Sequence, residues 1–284
     1  MNERLALMIG KMKYSVVMSV YEKDRPEWFE QAMESVLSQT TKSDDIIIVR
    51  DGIVTEKLEG LLRNYDKNIK EVTIIRLGRN VGAGQARNEG VKRAKHELVA
   101  IMDADDISLP NRFELQLAEF NGNPELTLVG GQISEFEGKP DNIVGYRKVP
   151  TEYGAIKKFA RYRSPINHVT IMFKKSAFLA VGGYPKMTRA EDYYMVSSLL
   201  AKNYAISNLQ SVIVNCRIGS ENIHRRKTWR NVRENIVSRW KIHKLGTISF
   251  VNFSISSAAQ IMLFIMPVSL LNLFFSRVLR SRRE

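Results

Sequence analysis

An apolar run, Val99-Ala100-Ile101-Met102, ends in three carboxylates, Asp103, Asp105 and Asp106, spaced D-x-D-D. Acids this close repel one another unless a cation lies among them. Hard oxygen donors suit Mg2+ or Mn2+, and such an ion would carry a phosphorylated ligand. The competing explanation is a solvated acidic turn before a helix, because aspartate is common at turns and N-caps. Another carboxylate, Asp51, follows the apolar run 45–49, and the pair Glu191-Asp192 opens a segment of helical pattern at 191–202. The helix dipole alone accounts for acids in a first turn. His168, next to Asn167 at the start of a further apolar run, reads as a structural group or a ligand.

These groups need strand ends to hold them. Buried strands are expected at 14–21, 45–49, 72–77 and from 99, with helices between them. The first helix begins at Pro26 with Asp24 as N-cap, and Trp28, Phe29, Ala32, Met33, Val36 and Leu37 recur along it at helical spacing. Helices over 54–65 and 85–94 complete a βαβ pattern, which calls for a mostly parallel sheet with ligands beyond its carboxyl ends. The glycine loop 78–84 lacks the dinucleotide fingerprint, since Arg87 stands where the third glycine belongs, and it reads instead as a tight turn aiming Arg87 at phosphate. Downstream, a helix with Pro110 at its first position, a strand over 126–130, short β segments near 132–136 and 144–149, a helix over 152–161 and a strand within 165–175 are expected.

The 284 residues carry a formal charge of +13, which favours polyanions: nucleic acid, an anionic membrane face or phosphorylated small molecules. Cys216 is the single cysteine, so no internal disulfide framework exists. The short apolar patch within 1–13 is interrupted by charge, and no secretory signal is expected there. Basic residues crowd 217–244, whereas 245–276 has no charged residue at all. As a helix that stretch would reach roughly 45 Å, more than a hydrocarbon core of about 30 Å. Polar residues interrupt it, Pro267 would kink it, and positive charge flanks both ends. Flanks of like sign suit an in-plane or re-entrant anchor better than a span, and a pair of core helices is the plain alternative.

Taken in order, the motifs resemble the family-2 inverting glycosyltransferases of the GT-A fold, especially the bacterial branch that builds O-antigens and exopolysaccharides. The resemblance rests on Val16 to Tyr21, Val49-Arg50-Asp51-Gly52, Asn80-x-Gly82 with Ala86-Arg87-Asn88-x-Gly90, Asp103-Ala104-Asp105-Asp106, Asn167-His168 and Glu191-Asp192. It implies an α/β GT-A catalytic domain over 1–216, with a mostly parallel central sheet flanked by helices. The nucleotide-sugar half would cover about 14–130 and the acceptor half about 131–216. A basic loop and helix at 217–244 and membrane-associating helices at 245–284 would follow.

The resemblance also implies roles. Asp51 would bond the nucleotide base, with Arg50 standing where relatives often carry a further Asp, and Tyr21 would line the base and ribose. Asn80, Arg87 and Arg217 would serve the donor, and His224 and Arg225 fall where such enzymes close over the diphosphate. Asp103 would meet ribose or metal, Asp105 would hold Mn2+ or Mg2+, and Asp106 would ligate or support. Asp192 would be the catalytic base, with Glu191 beside it. The implied partners are a UDP-sugar, with UDP-glucose or UDP-galactose favoured, an undecaprenyl-diphosphate-linked sugar acceptor and the anionic inner-membrane surface at its cytoplasmic face, with no nucleic acid. Two other classes compete: a phosphotransferase with an aspartate nucleophile, and a basic nucleic-acid-binding protein.

Overall fold

The computed structural model describes residues 12–187, 189–218 and 228–266. Four strands, β1 (Tyr14–Val20), β2 (Asp45–Asp51), β3 (Val72–Leu77) and β4 (Leu98–Asp103), run parallel in the order β3-β2-β1-β4. Their apolar residues alternate between faces, as the two-residue period of a strand requires. Val16, Met18, Ile46, Ile48, Ala100 and Met102 share one core with α1 (Pro26–Leu37), α2 (Glu56–Asn68) and α4 (Arg112–Gly122). Val17, Ile47, Val49, Val99 and Ile101 face the other core, with α3 (Ala83–Arg93), α5 (Tyr153–Phe159), α6 (Lys175–Ala180) and α7 (Glu191–Ala201).

A mixed half continues the sheet. Strand β8 (Met172–Lys174) is antiparallel to both β4 and β6 (Leu126–Phe136), and so joins the halves. β6 pairs in parallel with β9 (Ala205–Arg217) and antiparallel with β7 (Ile143–Arg147). The two-residue β5 (Ile107–Ser108), just after the acidic motif, pairs with Val214 and Asn215 and draws the end of β9 alongside that motif.

Several elements depart from the sequence expectation. Strand 126–130 and the segment 132–136 are one strand, β6, irregular in its pairing between Gly130 and Gln132. The segment 165–175 keeps only β8 as strand, preceded by a 3-10 turn at His168–Thr170 and followed by α6. The reason is local side-chain competition for the backbone. Asn167 Nδ2 donates to the carbonyls of Gly131 and Arg147, and the Thr170 hydroxyl donates to Asn167 O while accepting from Gly131 N. Asp24 does not cap α1: its carboxylate accepts from Tyr21 N at 2.9 Å, and Arg25 holds the cap position with no side-chain bond. Pro110 lies outside α4, which starts at Arg112, and its carbonyl accepts from Thr40 N at 2.9 Å.

Helix α3 presses on the sheet through Gly90, where a Cβ would come within 2.5 Å of Val17 Cγ1 and 3.1 Å of Val49 Cγ2. Behind β4 lies Arg112, fully buried, donating to Ile101 O at 2.8 Å and to Gln116 Oε1 at 3.2 Å. Burial pulls its guanidinium down to about 9.

At the C-terminal side, α8 (Trp229–Lys244) and α9 (Phe250–Ile265) rest on α7 through Tyr193, Ile242 and Ile248. Thr247 Oγ1 donates to Ser197 O, and Ser238 Oγ to Arg189 O. α9 leaves Phe250, Val251, Ile255, Met262 and Ile265 exposed. Among the described residues no helix is long and apolar enough to cross a membrane. Pro267, the remainder of the apolar tail, His224 and Arg225 lie outside the described residues.

Replacing Gly90 by Val forces two branches into the α3 contact with β1 and β2. The expected loss of stability is about 1–3 kcal/mol, the usual range for overpacking, read from the denaturant midpoint.

Candidate active site

The carboxyl ends of β1, β2, β4 and β9 converge with the start of α7. At the end of β2, the Asp51 carboxylate is 3% exposed and accepts from Val81 N at 2.6 Å and Gly82 N at 3.0 Å. Asn80 Nδ2 donates back to Asp51 O at 3.3 Å. Gly52, at φ +84°, lets this loop close, since a Cβ there would stand 2.7 Å from Asn80 N. The structure therefore brings Asp51 and Asn80 together, with the carboxylate engaged in shaping the 80–82 loop. Tyr21 sits exposed at the rim.

Arg87 is buried and ion-paired through Nη2 to Asp103 Oδ1, not left pointing at a phosphate. Burial raises the Asp103 carboxyl, yet Arg87, helped by His168, holds it below the ordinary carboxylate range. Asp105 has no such partner. Burial, reinforced by Asp103, pushes it up to about 6.

Asp24, expected from the sequence as a helix cap, lies instead within the field of these acids. Burial pushes it up to about 7; the bond from Tyr21 N works against this, and Asp105 and Asp103 add to it. Its position just past a strand end, like Asp51 and Asp105, was the available signal. Neither Asp24 nor Asp105 has an ion pair among the described residues.

This excess of negative charge fits a hard cation, which Asp103 and Asp105 could hold. No ready-made group of three or more metal-ligating side chains occurs among the described residues. Asp106 does not fit as a ligand: it is 2% exposed and accepts from Arg217 N at 2.8 Å. Burial, with Asp105 and Asp103, drives its carboxyl well above the ordinary value. It supports the loop from below.

Arg217 likewise braces the loop. Its guanidinium donates to Asp105 O at 3.0 Å, Gly138 O at 3.1 Å and Gln31 Oε1 at 2.7 Å, and lies over the Trp28 and Phe136 rings at 4.8 and 4.5 Å. β5 pulls β9 against the acidic motif and so sets this wedge in place.

Facing the acidic loop is the start of α7. Gly84 makes the approach possible: a Cβ there would lie 3.1 Å from Glu191 Cγ and 3.2 Å from Tyr184 Cβ. Tyr184 is clamped by Asn88, which donates to its carbonyl at 2.7 Å and accepts from its N–H at 2.9 Å. His168 Nε2 meets the Tyr184 hydroxyl at 2.8 Å. Burial, with Arg87 nearby, pushes His168 down to about 4, so the ring is neutral at pH 7. Burial raises Glu191, and the charge of Asp192 adds to that. Asp192 also acts on Tyr184 and His168, so the two acids, Arg87, Asp103 and His168 form one electrostatic cluster. Ala190, immediately before α7, adopts the left-handed conformation at φ 56°, a strained choice of the kind found at functional sites.

A carboxyl raised by folding weakens the fold as pH climbs, because the unfolded chain ionises it first. Asp24 should therefore subtract stability progressively from its unfolded value of 3.8 through about 7. In chelator-treated buffer, Asp24→Asn should gain stability over wild type at pH 8 and gain little at pH 4, as read from urea midpoints.

Comparison with known proteins gives a consistent answer. The model of glycosyl transferase family 2 matches residues 15–180. The Escherichia coli UDP-Gal:alpha-D-GlcNAc-diphosphoundecaprenol beta-1,3-galactosyltransferase is 33% identical over 94% of this chain and 97% of its own length. The amylovoran biosynthesis glycosyltransferase AmsE of Erwinia amylovora is 31% identical over 93% of this chain and 98% of its own. Among solved structures, the mannosyltransferase PcManGT of Pyrobaculum calidifontis, in complex with GDP-Man and Mn2+, superposes with a TM-score of 0.61 at 16% identity, covering 94% of this chain and 81% of that one.

Proposed function

The chain belongs to glycosyl transferase family 2 and is a glycosyltransferase of GT-A fold; we propose that it transfers a hexose, with inversion and release of UDP, from UDP-galactose or UDP-glucose to a sugar carried by a lipid diphosphate in O-antigen or exopolysaccharide synthesis. Family membership sets aside the phosphotransferase and nucleic-acid-binding readings. The observation that carries the proposal is the meeting of two acidic groups, from different elements, around Arg87 and His168. Asp105, which has no ion pair among the described residues, and Asp103, paired to Arg87, stand on the strand side, and Glu191 and Asp192 on the helix side. The name of the E. coli relative supports the donor and acceptor classes, and that of the Erwinia relative the polysaccharide setting.

In this reading the donor lies along the carboxyl ends of β1, β2 and β4. The loop held by Asp51 lines its base end, and Tyr21 lines the ribose. Asp103 and Asp105 would hold Mn2+ or Mg2+, which when bound neutralises charge on the leaving nucleoside diphosphate. Arg217 and Asp106 fix that loop from behind. Asp192 accepts the proton of the acceptor hydroxyl as it attacks the anomeric carbon, a general-base contribution of about 10²–10⁴-fold. Glu191, raised by burial, orients the acceptor beside it. A single displacement inverts the anomeric centre and needs no protein nucleophile.

A lipid-linked acceptor is met at a membrane surface. The exposed apolar side chains of α9 and the basic residues of α8, Lys241 and Lys244 among them, suit peripheral seating on an anionic cytoplasmic face.

Asp192→Asn should bind donor with unchanged affinity by calorimetry while transfer falls about 10²–10⁴-fold; normal turnover would remove Asp192 from the base role. Asp105→Ala should abolish both transfer and its response to added Mn2+, measured as UDP release across a manganese titration. Metal-stimulated activity persisting in that variant would count against the assignment.

A further inference from the structure

Arg147, the last residue of β7, and Arg163, which follows α5, are cations that the mechanism leaves unused. Neither has a carboxylate ion pair among the described residues. Arg147 Nε is buried without a hydrogen-bond partner. An orphaned buried donor of this kind calls for an acceptor that has yet to arrive. Arg163 is half-buried, with its guanidinium 5.1 Å from the Phe159 ring centre. Asn167, four residues after Arg163, holds the Arg147 carbonyl, so the two arginines come from neighbouring stretches of backbone, and burial first and the charge of Arg147 second depress the Arg163 guanidinium. Two partly dehydrated like charges with no acid between them are unfavourable in the protein alone and favourable around a polyvalent anion.

Their place in the fold indicates which anion. The Arg147 carbonyl accepts from Asn167 Nδ2 at 3.2 Å, and the next residue, His168, bonds Tyr184 within the field of Asp192. On the opposite side, the carbonyl of Tyr162, adjacent to Arg163, accepts from Arg239 Nη1 of α8 at 2.9 Å. The pair thus stands between the cluster containing Asp192 and the helices that carry the exposed apolar side chains. The donor's diphosphate belongs at the other wall, with Asp103 and Asp105. An acceptor sugar whose hydroxyl meets Asp192 and whose lipid runs toward α8 and α9 must pass its own diphosphate between these two points.

We propose that Arg147 and Arg163 bind the diphosphate of the acceptor, through charge-assisted hydrogen bonds. This inference rests on the lipid-diphosphate acceptor read above. It makes the arginines a selectivity device: they favour sugars still attached to diphosphate over neutral glycosides of the same sugar.

The test compares full-length wild type, Arg163→Gln and Arg147→Gln/Arg163→Gln. Each is assayed for UDP-hexose transfer to GlcNAc-diphospho-lipid and to a GlcNAc alkyl glycoside of matched chain length. The ratio of kcat/KM between the two acceptors should fall about ten- to a hundredfold in the double variant, as expected for losing one or two such bonds. The loss should fall on acceptor KM rather than donor KM, and Arg163→Lys should recover part of it. Arg163→Gln removes only the half-buried member, so it keeps the test open should the double variant fold poorly. An unchanged ratio with active enzyme overturns the inference and leaves the transferase reading standing. An equal loss toward both acceptors, or a raised donor KM, assigns the arginines to packing or to the donor and also overturns it. If wild type transfers to neither acceptor with any UDP-hexose, the acceptor reading itself fails and the inference with it.

Discussion

The site depends on one buried ion pair, Arg87 with Asp103. An unpaired charge at either position would be strongly destabilising, since neither side chain has much access to water. The pair also sets the electrostatic contrast of the cleft. Asp103 is kept ionised by Arg87, and an ionised Asp103 raises the proton affinity of Asp105 and Asp106 beside it. His168 stays neutral partly because Arg87 is there. The arginine thus serves as a resident cation within the protein, leaving the remaining acidic charge for a second, external one.

The geometry that brings the pair together comes from two close approaches. Gly90 lets α3 lie on β1 and β2, which carries Arg87 to the carboxyl end of β4. Gly84, six residues earlier on the same helix, admits Glu191 from the facing element. The antiparallel β8 and the short β5 then bind the second half of the sheet to the first at both ends of the acidic motif. Burying Arg112 against the Ile101 carbonyl adds a second positive charge behind the strand that carries Asp103.

Much of this was legible in the sequence, and the rest was hidden for identifiable reasons. Continuous apolar runs ending in Asp51 and Asp103 gave the parallel strands and the end at which chemistry gathers, because a strand buried on both faces leaves that signature. Asp24, just before Pro26, satisfies the local pattern of a helix start; only the tertiary fold brings it within the field of Asp105. Arg217 looked like one more member of a basic run. Its wedge between Trp28 and Phe136 depends on contacts with residues distant in sequence, which no local pattern encodes. Asn167 interrupted an apolar run that otherwise reads as strand, and its side chain captured two carbonyls that a ladder would have used.

Helix α7 begins at Glu191 and Asp192 and along its flank carries α8 and the turn leading to α9. Its 11 residues make a strut of roughly 16 Å at the usual helical rise. Chemistry occupies one end of that strut and the C-terminal helices lean on its side. For a catalyst seated by those helices, depth of seating and height of Asp192 above the surface become a single mechanical coordinate. Such an enzyme would gauge its acceptor by stand-off distance, reaching a sugar close to the lipid and missing one carried further out on a grown chain.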